Sequence, residues 1–172
     1  MALAIVLMGV AGSGKTEVGR ALAAELGWPF YDGDDFHPLE NVAKMARGIP
    51  LDDADRAPWL QILRDLLAER RQAGEQPVLA CSALKEAYRD RLREGNPELM
   101  FVHLHGDLEL IWSRMQERQD HYMRADMLQS QFDVLEPPAD ALLIDIARPV
   151  PEIVEKIVRF VVREHEVDRV DR

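Results

Sequence analysis

Residues 3 to 16 read Leu-Ala-Ile-Val-Leu-Met-Gly-Val-Ala-Gly-Ser-Gly-Lys-Thr, and this stretch decides the fold. An apolar run ends at Met8 and leads into Gly9-x-x-x-x-Gly14-Lys15-Thr16, after which the sequence is competent to form a helix. A strand, a glycine turn and a helix in this order are the structural context of a phosphate-binding P-loop. The stretch therefore predicts a βα unit that binds a nucleoside triphosphate.

Each part of the P-loop pattern has a chemical purpose. Glycines let the backbone curl so that several N–H groups point at one phosphate chain, and the N-terminus of the next helix adds partial positive charge. Lys15 can reach the β- and γ-phosphates, and the Thr16 hydroxyl can ligate Mg²⁺. The flanking strand and helix argue against the alternative, a glycine-rich turn with an incidental lysine. The predicted ligands of the ATP phosphates are Gly9, Gly12, Ser13, Gly14, Lys15 and Thr16.

Length and composition place the chain among ordinary globular proteins. Its 172 residues fit one domain with a sizeable core, and 47% of them are hydrophobic and 30% charged. No apolar run approaches the roughly 18 residues that span a bilayer, and the N-terminal apolar stretch lacks the basic region of a signal peptide. Cys81 is the single cysteine, which excludes an internal disulfide and suits a reducing compartment. We expect a cytoplasmic single domain, residues 1–172, with no membrane partner.

The net charge of −10 excludes one class of function. A nucleic-acid-binding protein normally presents a basic face, whereas this chain repels polyanions at long range. We therefore expect no nucleic-acid partner. If the substrates are small anions, the positive charge that binds them must be concentrated locally.

Short apolar strands alternate with helical segments along the chain. The predicted strands are 3–8, 28–31, 77–80, 99–104 and 142–145, and the last helix is expected at about 151–163, followed by frayed residues 164–172. The alternation indicates an α/β fold whose five-stranded parallel sheet is covered on both faces. Ligands of such sheets bind beyond the carboxyl ends of the strands, which is where the candidate residues lie.

An acidic loop, Asp32-Gly33-Asp34-Asp35, follows the second predicted strand. A carboxylate that faces a P-loop can hold Mg²⁺ through water, and a second one can accept a proton from an attacking hydroxyl. The alternative is a solvated acidic turn. Its position in the second βα loop of a P-loop protein favours the catalytic interpretation, with Asp32 at the metal and Asp34 at the substrate hydroxyl.

Several basic or polar residues could bind an anionic substrate. Lys85 and Arg89 stand one helical turn apart and could clamp a carboxylate or a phosphate, although such a pair can also be a solvated face. His37 could contact the substrate or begin a helix. The candidate substrate ligands are Asp34, His37, Lys44, Arg47, Arg56, Ser82, Lys85 and Arg89.

Three arginines, Arg114, Arg118 and Arg124, surround the irregular segment 119–124 between two predicted helices. A loop in that position could close over the nucleotide and bring an arginine against the transferring phosphoryl group. Their positions alone do not indicate which of the three arginines would do so.

Several blocks of the sequence resemble the gluconokinases, small P-loop kinases of the thermoresistant gluconate kinase type. The resemblance covers residues 5 to 160, and the blocks occur in the same order as in that family. They are Met8–Thr16, Tyr31-Asp-Gly-Asp-Asp-Phe-His-Pro38, Lys44-Met45, Gly48-Ile-Pro-Leu51, Asp55-Arg-Ala-Pro-Trp-Leu60, Cys81-Ser-Ala-Leu-Lys85, Tyr88-Arg-Asp-Arg-Leu-Arg93 and Ser130-Gln-Phe-x-x-Leu-Glu136.

The resemblance implies phosphorylation of D-gluconate by ATP to 6-phospho-D-gluconate, with Mg²⁺, in sugar-acid catabolism. It also implies a three-layer fold similar to nucleoside monophosphate and shikimate kinases. A substrate-binding helical section would occupy about 37–60 and a helical lid about 108–135, and homodimers are common in such a family. The lid departs from the family pattern, because Gln119 and Asp120 stand where relatives commonly carry a lysine and a glycine. The family's arginine and histidine are kept as Arg118 and His121, and the resemblance implies a catalytic and ATP-binding role for Arg118 only.

Two other functions fit parts of the sequence. A kinase for shikimate or for a nucleoside monophosphate would use the same P-loop and lid. A nucleotide-sensing regulatory module would bind ATP without turnover, which the intact Asp32 and Asp34 pair disfavours.

Overall fold

The computed structural model describes residues 3–117 and 125–170, with side chains described through residue 167. Five strands and seven helices alternate within these ranges. The strands are β1 (Ala4–Met8), β2 (Phe30–Asp32), β3 (Val78–Ala80), β4 (Leu99–His105) and β5 (Leu142–Asp145). The helices are α1 (Lys15–Leu26), α2 (Leu39–Ala46), α3 (Asp53–Gln72), α4 (Glu86–Arg93), α5 (Leu108–Glu117), α6 (Ala125–Val134) and α7 (Val150–Val170), and a short 3₁₀ helix, Gly33–Phe36, follows β2.

The strands form one parallel sheet in the order β2-β3-β1-β4-β5. β1 lies in the centre, where Leu7 is opposite Ala80 of β3 and Val102 of β4. All five residues of β1 are buried, as expected for a strand covered on both faces. The central position of β1 places the P-loop in the middle of the carboxyl edge of the sheet.

Helices cover both faces, which confirms the three-layer α/β fold. One face packs against α1, α5, α6 and α7 through an apolar cluster that includes Leu22, Ile111 and Ile157. The other face packs against α3 and α4, with Trp59 and Leu63 in its cluster. None of the helices within residues 3–117 and 125–170 is both long and apolar enough to cross a membrane.

Two local expectations about the helices need correction. The C-terminal residues were expected to fray after 163, whereas α7 continues to Val170. The apolar periodicity of this helix ends near residue 163, but the polar residues of its last turns still form a helix. The second concerns His37, which the sequence offered as a possible start of a helix: α2 begins at Leu39, so His37 lies in extended backbone before it.

Candidate active site

The P-loop connects β1 to α1 with the backbone geometry that phosphate binding requires. Gly14 precedes α1 with a φ of 92°, and Gly12 has a φ of 76°, both in the left-handed region that favours glycine. A Cβ on Gly12 would lie 2.6 Å from Cγ of Met115 in α5, so this position also needs glycine for space. Within the described residues, the buried Ser13 hydroxyl has no hydrogen-bond partner. An unsatisfied donor in a glycine-lined loop fits a phosphate ligand.

The Lys15 ammonium group lies folded against its own loop. Its Nζ donates hydrogen bonds of 2.9 Å to the backbone oxygens of Gly9 and of Val10. Burial lowers the pKa of Lys15, and the nearby Asp34 carboxylate opposes this effect. Both carbonyl bonds are local, so the ammonium group can exchange them for phosphate oxygens without unfolding the loop.

Thr16 and Asp32, the two predicted metal ligands, are in contact. The Thr16 hydroxyl donates to Oδ2 of Asp32 at 3.1 Å, and Oδ1 of Asp32 accepts the backbone N–H of Asp34 at 3.0 Å. A hydroxyl and a carboxylate side by side next to phosphate ligands are the oxygen donors that Mg²⁺ uses in kinases. The residues present therefore fit a magnesium ion bound together with the nucleotide.

Asp34 lies two residues beyond Asp32, on the 3₁₀ helix at the carboxyl end of β2. Partial desolvation of the carboxyl group raises the pKa of Asp34 above its usual value. The negative charge of Asp32 adds to this shift, and the positive charge of Lys15 opposes it. The side chain is nonetheless 87% exposed, so solvent screens much of this effect. An accessible carboxylate beside a lysine of the P-loop can accept a proton from an incoming hydroxyl group.

His37 is held in place by three neighbours. Its ring stacks on Trp59 with centroids 4.2 Å apart and an angle of 15° between the planes. Nδ1 lies 3.3 Å from Nδ2 of Asn41, and Nε2 lies 3.9 Å from Oδ1 of Asp34. Burial lowers the pKa of His37. The structure therefore brings His37 to the catalytic loop, although the sequence only indicated a choice between substrate contact and helix start.

Lys85 and Arg56 meet over the ring of Tyr88. The Lys85 Nζ and the Arg56 guanidinium carbon each lie 5.6 Å from the centroid of that ring. Lys85 donates to Asp53 at 3.2 Å, and the Tyr88 hydroxyl donates a short hydrogen bond to the same carboxylate. Lys85 and Tyr88 thus hold one carboxylate already, and together with the neighbouring Arg56 they are suited to bind a carboxylate of the substrate. Sequence analysis missed Tyr88 and Asp53, although Tyr88 stands in one of the recognised blocks.

Three further candidates have less direct positions. Lys44 is paired with Asp55 at 2.8 Å, and this hydrogen bond raises its pKa. Arg47 is exposed at the end of α2, where its backbone N–H closes the helix. Ser82 follows β3, and its backbone oxygen accepts the N–H of Gly9, which ties the loop after β3 to the P-loop at 3.2 Å.

Arg89 does not lie where the sequence predicted. Its side chain is 0% exposed, so it cannot clamp a substrate together with Lys85 in this conformation. The guanidinium donates to the backbone oxygens of Ala83 and Glu136, each at 2.7 Å, and to Glu86. Ala83 has a φ of 44°, which is costly for a residue with a Cβ. Arg89 thus holds a strained turn directly before Lys85.

A cavity of about 230 Å³ lies beside the P-loop. The P-loop residues 12–14 and Glu17 of α1 form one wall, and Arg114 of α5 and residues 148–150 at the start of α7 form the others. Two arginines and a proline give flat surfaces on which a heterocyclic base can stack. Sequence analysis did not assign Arg148 or Pro149, since they belong to no recognised block.

The two described helices of the predicted lid, α5 and α6, rest directly on the P-loop. Met115 and Ile111 of α5 pack against Gly12, and Oε1 of Gln131 in α6 accepts the backbone N–H of Ala11 at 2.7 Å. Arg118, the predicted lid arginine, lies outside the described residues, as do residues 119–124. The position of the lid relative to the nucleotide therefore stays a prediction.

The chain is similar to small-molecule kinases both in sequence and in structure. A family model for shikimate kinase matches residues 11–161. A probable gluconokinase of Xenopus tropicalis is 47% identical over 96% of this chain and 93% of its own, and the thermoresistant gluconokinase of Escherichia coli K12 is 44% identical over 91% of each chain. The crystal structure of a gluconokinase from Sinorhizobium meliloti matches with a TM-score of 0.89 at 44% identity, covering 98% of this chain and 97% of that one.

More distant structures share the fold alone. An APS kinase of Mycobacterium tuberculosis has a TM-score of 0.74 at 17% identity, and a shikimate kinase of Aquifex aeolicus has 0.61 at 19%. Kinases with different acceptors therefore share this sheet and P-loop, so the fold does not identify the acceptor.

Proposed function

The chain belongs to the gluconokinase family of P-loop kinases, and from this premise we propose that it transfers the γ-phosphoryl group of ATP to the 6-hydroxyl of D-gluconate. The products are ADP and 6-phospho-D-gluconate. The identity of 44–47% to gluconokinases over more than nine-tenths of the chain carries the choice of acceptor. The geometry supports the reaction type, because a P-loop, an oxygen pair for Mg²⁺ and an accessible carboxylate lie at one sheet edge.

On the donor side, the backbone of Gly9, Gly12, Ser13 and Gly14 would bind the phosphate chain. Lys15 would leave its carbonyl partners in the loop and neutralise the charge that develops on the γ-phosphoryl group. Thr16 and Asp32 would hold Mg²⁺, which supplies further charge neutralisation when bound. The cavity between Arg114 and Pro149 would hold the base of the nucleotide.

On the acceptor side, Asp34 would accept the proton of the 6-hydroxyl as its oxygen attacks the phosphorus atom. The new P–O bond forms while the bond to the β-phosphate oxygen breaks, and ADP leaves. Phosphoryl transfer depends mostly on alignment and charge stabilisation, so Asp34 also acts by orienting the hydroxyl.

The carboxylate of gluconate would be bound by Lys85 and Arg56, with the Tyr88 hydroxyl as a third donor. In the structure the Asp53 carboxylate occupies two of these donors. A substrate carboxylate would therefore have to share them with Asp53 or displace it. Lys44, Arg47 and Ser82 stay candidates for hydroxyl contacts, and Arg89 acts indirectly by holding the turn at Ala83.

Arg118 is proposed to reach the transferring phosphoryl group when the lid, about 108–135, closes. Because α5 and α6 both contact the P-loop, phosphate binding and lid position are mechanically connected. The family resemblance further suggests a homodimer, which light scattering on a sizing column would test. Location in the cytoplasm is an expectation that depends on the lone Cys81.

A substrate panel in a coupled ADP-release assay tests the proposal. Gluconate should give ATP turnover at least a hundredfold above shikimate, nucleoside monophosphates and the buffer alone. A preference for shikimate or for a monophosphate would favour another kinase of the same fold. Nucleotide binding without turnover of any acceptor would favour a regulatory module.

A further inference from the structure

The side chain of Asn41 lies in the interior although α2 carries apolar residues on its exposed side. Asn41 is 3% exposed, whereas Leu39 and Val42 of the same helix are 83% and 48% exposed. A buried amide in a helix whose neighbouring apolar residues face solvent calls for an explanation, because burying a polar group is costly unless its hydrogen bonds are satisfied.

The hydrogen bonds of Asn41 determine which way its amide points. Nδ2 donates to the backbone oxygen of Asp55 at 2.9 Å and lies 3.3 Å from Nδ1 of His37. A carbonyl oxygen can only accept, so the nitrogen of the amide must face Asp55. An amide nitrogen can only donate, so Nδ1 of His37 must be the acceptor.

This arrangement fixes the tautomer of His37. When Nδ1 accepts a hydrogen bond, the single proton of a neutral imidazole is on Nε2. The His37 side chain is 5% exposed, and its Nε2 lies 3.9 Å from Oδ1 of the exposed Asp34. The stack on Trp59, whose own Nε1 donates to the backbone oxygen of Gly33 at 2.8 Å, fixes the plane of the ring. The Asn41 amide fixes which edge carries Nδ1, because a ring turned over would place a C–H group against the amide. Burial, which lowers the pKa of His37, keeps the ring neutral at pH 7.

We propose that Asn41 is a positioning residue that holds His37 as the neutral Nε2–H tautomer, so that His37 donates a hydrogen bond to the acceptor hydroxyl of the substrate beside Asp34. An oxygen about 2.8 Å from both Nε2 and the Asp34 carboxylate satisfies the observed separation of these two atoms. The hydroxyl then accepts from His37 and donates to Asp34, which points its proton at the base and a lone pair away from it. The proposal rests on the proposed function only for the identity of the hydroxyl.

Two-bond ¹H–¹⁵N correlation spectra of the free enzyme test the tautomer without any turnover. The His37 signals, assigned by their loss in His37→Gln, should show a protonated Nε2 and an unprotonated Nδ1 at pH 7.5. In Asn41→Asp, a carboxylate replaces the donor and should move the proton to Nδ1 or make the ring cationic. A wild-type ring protonated on Nδ1 would overturn the proposal.

Steady-state kinetics test the consequence. Asn41→Asp should lower kcat/KM for gluconate at least tenfold while KM for ATP stays within twofold. The matched control is Asn96→Asp, because Asn96 is also buried and donates twice, to the backbone oxygens of Leu92 and Arg64, outside the cleft. Equal losses in the two variants would overturn the proposal.

A pair of His37 variants tests the proposal even if Asn41→Asp does not fold. His37→Gln keeps an N–H donor near the position of Nε2 and should retain more kcat/KM for gluconate than His37→Asn, which places its amide near Nδ1. The reverse order would contradict the proposal. Wild-type turnover with gluconate, measured on the same samples, separates failure of the proposed function from failure of the tautomer assignment.

Discussion

At the scale of single residues, the proposed chemistry depends on Asp34, whose carboxyl group is exposed on the 3₁₀ helix after β2. We predict that Asp34→Asn lowers kcat with gluconate at least a hundredfold, since a positioned general base typically contributes that much. KM for ATP should stay within twofold. Asp35→Asn is the control, because Asp35 is the adjacent exposed carboxylate. Near wild-type kcat in Asp34→Asn would show that Asp34 is not the base.

Lys85 gives a second prediction at this scale. Lys85→Ala should raise KM for gluconate at least tenfold, because a charge-assisted hydrogen bond contributes about 1.5–3 kcal/mol. KM for ATP should hardly change. Arg159→Ala removes the same charge from α7, on the opposite face of the sheet, and should alter neither constant. Equal increases of both KM values in Lys85→Ala would indicate a structural role.

Sequence patterns predicted residues whose chemistry follows from a motif, and missed those whose role follows from packing. Thr16 and Asp32 meet as expected, because Thr16 begins the helix after the P-loop and Asp32 ends β2, both at the carboxyl edge of the sheet. Arg89 was misplaced, because spacing along a helix does not reveal that the chain at Glu136 covers that side. Asn41 gave no signal in the sequence, since its role depends on a tertiary contact with Asp55.

At the scale of elements, the P-loop is contacted by α5 and α6, the two described helices of the predicted lid. Gln131 satisfies the backbone N–H of Ala11. We predict that Gln131→Met, which keeps the shape but removes the acceptor, raises KM for ATP about fivefold or more, as expected for a freed N–H group. Gln129→Met is the control, since Gln129 bonds only to Asp133 of its own helix among the contacts seen. Unchanged KM for ATP in Gln131→Met would contradict this coupling.

Elements were predictable where their apolar pattern is strong. The central strands β1 and β4 lie where the sequence placed them to within a residue or two, because both are buried runs with clear breaks. The predicted end of α7, at about residue 163, is seven residues too early, because a polar helix end carries no apolar periodicity. The start of α3 is fixed by a capping box between Asp52 and Asp55. The sequence predicts Asp55 or Asp53 as the cap, which is wrong, because several aspartates in a row do not show which one begins the helix.

At the scale of the whole molecule, a buried histidine in the sheet sets part of the pH dependence of stability. His103 is 5% exposed, and burial lowers its pKa to about 4, with His105 and Arg89 adding to the effect. In the unfolded chain His103 binds a proton near pH 6.5, whereas in the folded protein it does so only near pH 4. Its contribution to the free energy of unfolding is therefore complete above pH 6.5 and is lost as the pH falls towards 4. The loss from pH 8 to pH 5 is about 2 kcal/mol.

His103→Phe should therefore lose less unfolding free energy than the wild type over the same pH range. Urea unfolding at pH 8 and pH 5 measures this difference, and His165→Phe in α7 serves as the control. An identical pH dependence in His103→Phe and the wild type would show that His103 does not control the acid limb of stability.

The whole active site is acidic around a few cations. The chain carries a net charge of −10 and yet is proposed to bind two anions, which requires Lys15 on the donor side and Lys85 with Arg56 on the acceptor side. The proposed site therefore has two separate cationic points, one for each anion. Such a site should transfer the γ-phosphoryl group from bound ATP to bound gluconate and should not simply hydrolyse ATP.

A ³¹P NMR spectrum of the enzyme with ATP, Mg²⁺ and gluconate tests this claim most directly. The account predicts that the γ-phosphate signal of ATP decreases while a single phosphomonoester signal, coupled to the two protons on C6 of gluconate, increases in equal amount. Release of inorganic phosphate, phosphorylation at another carbon, or an unchanged ATP spectrum would contradict it.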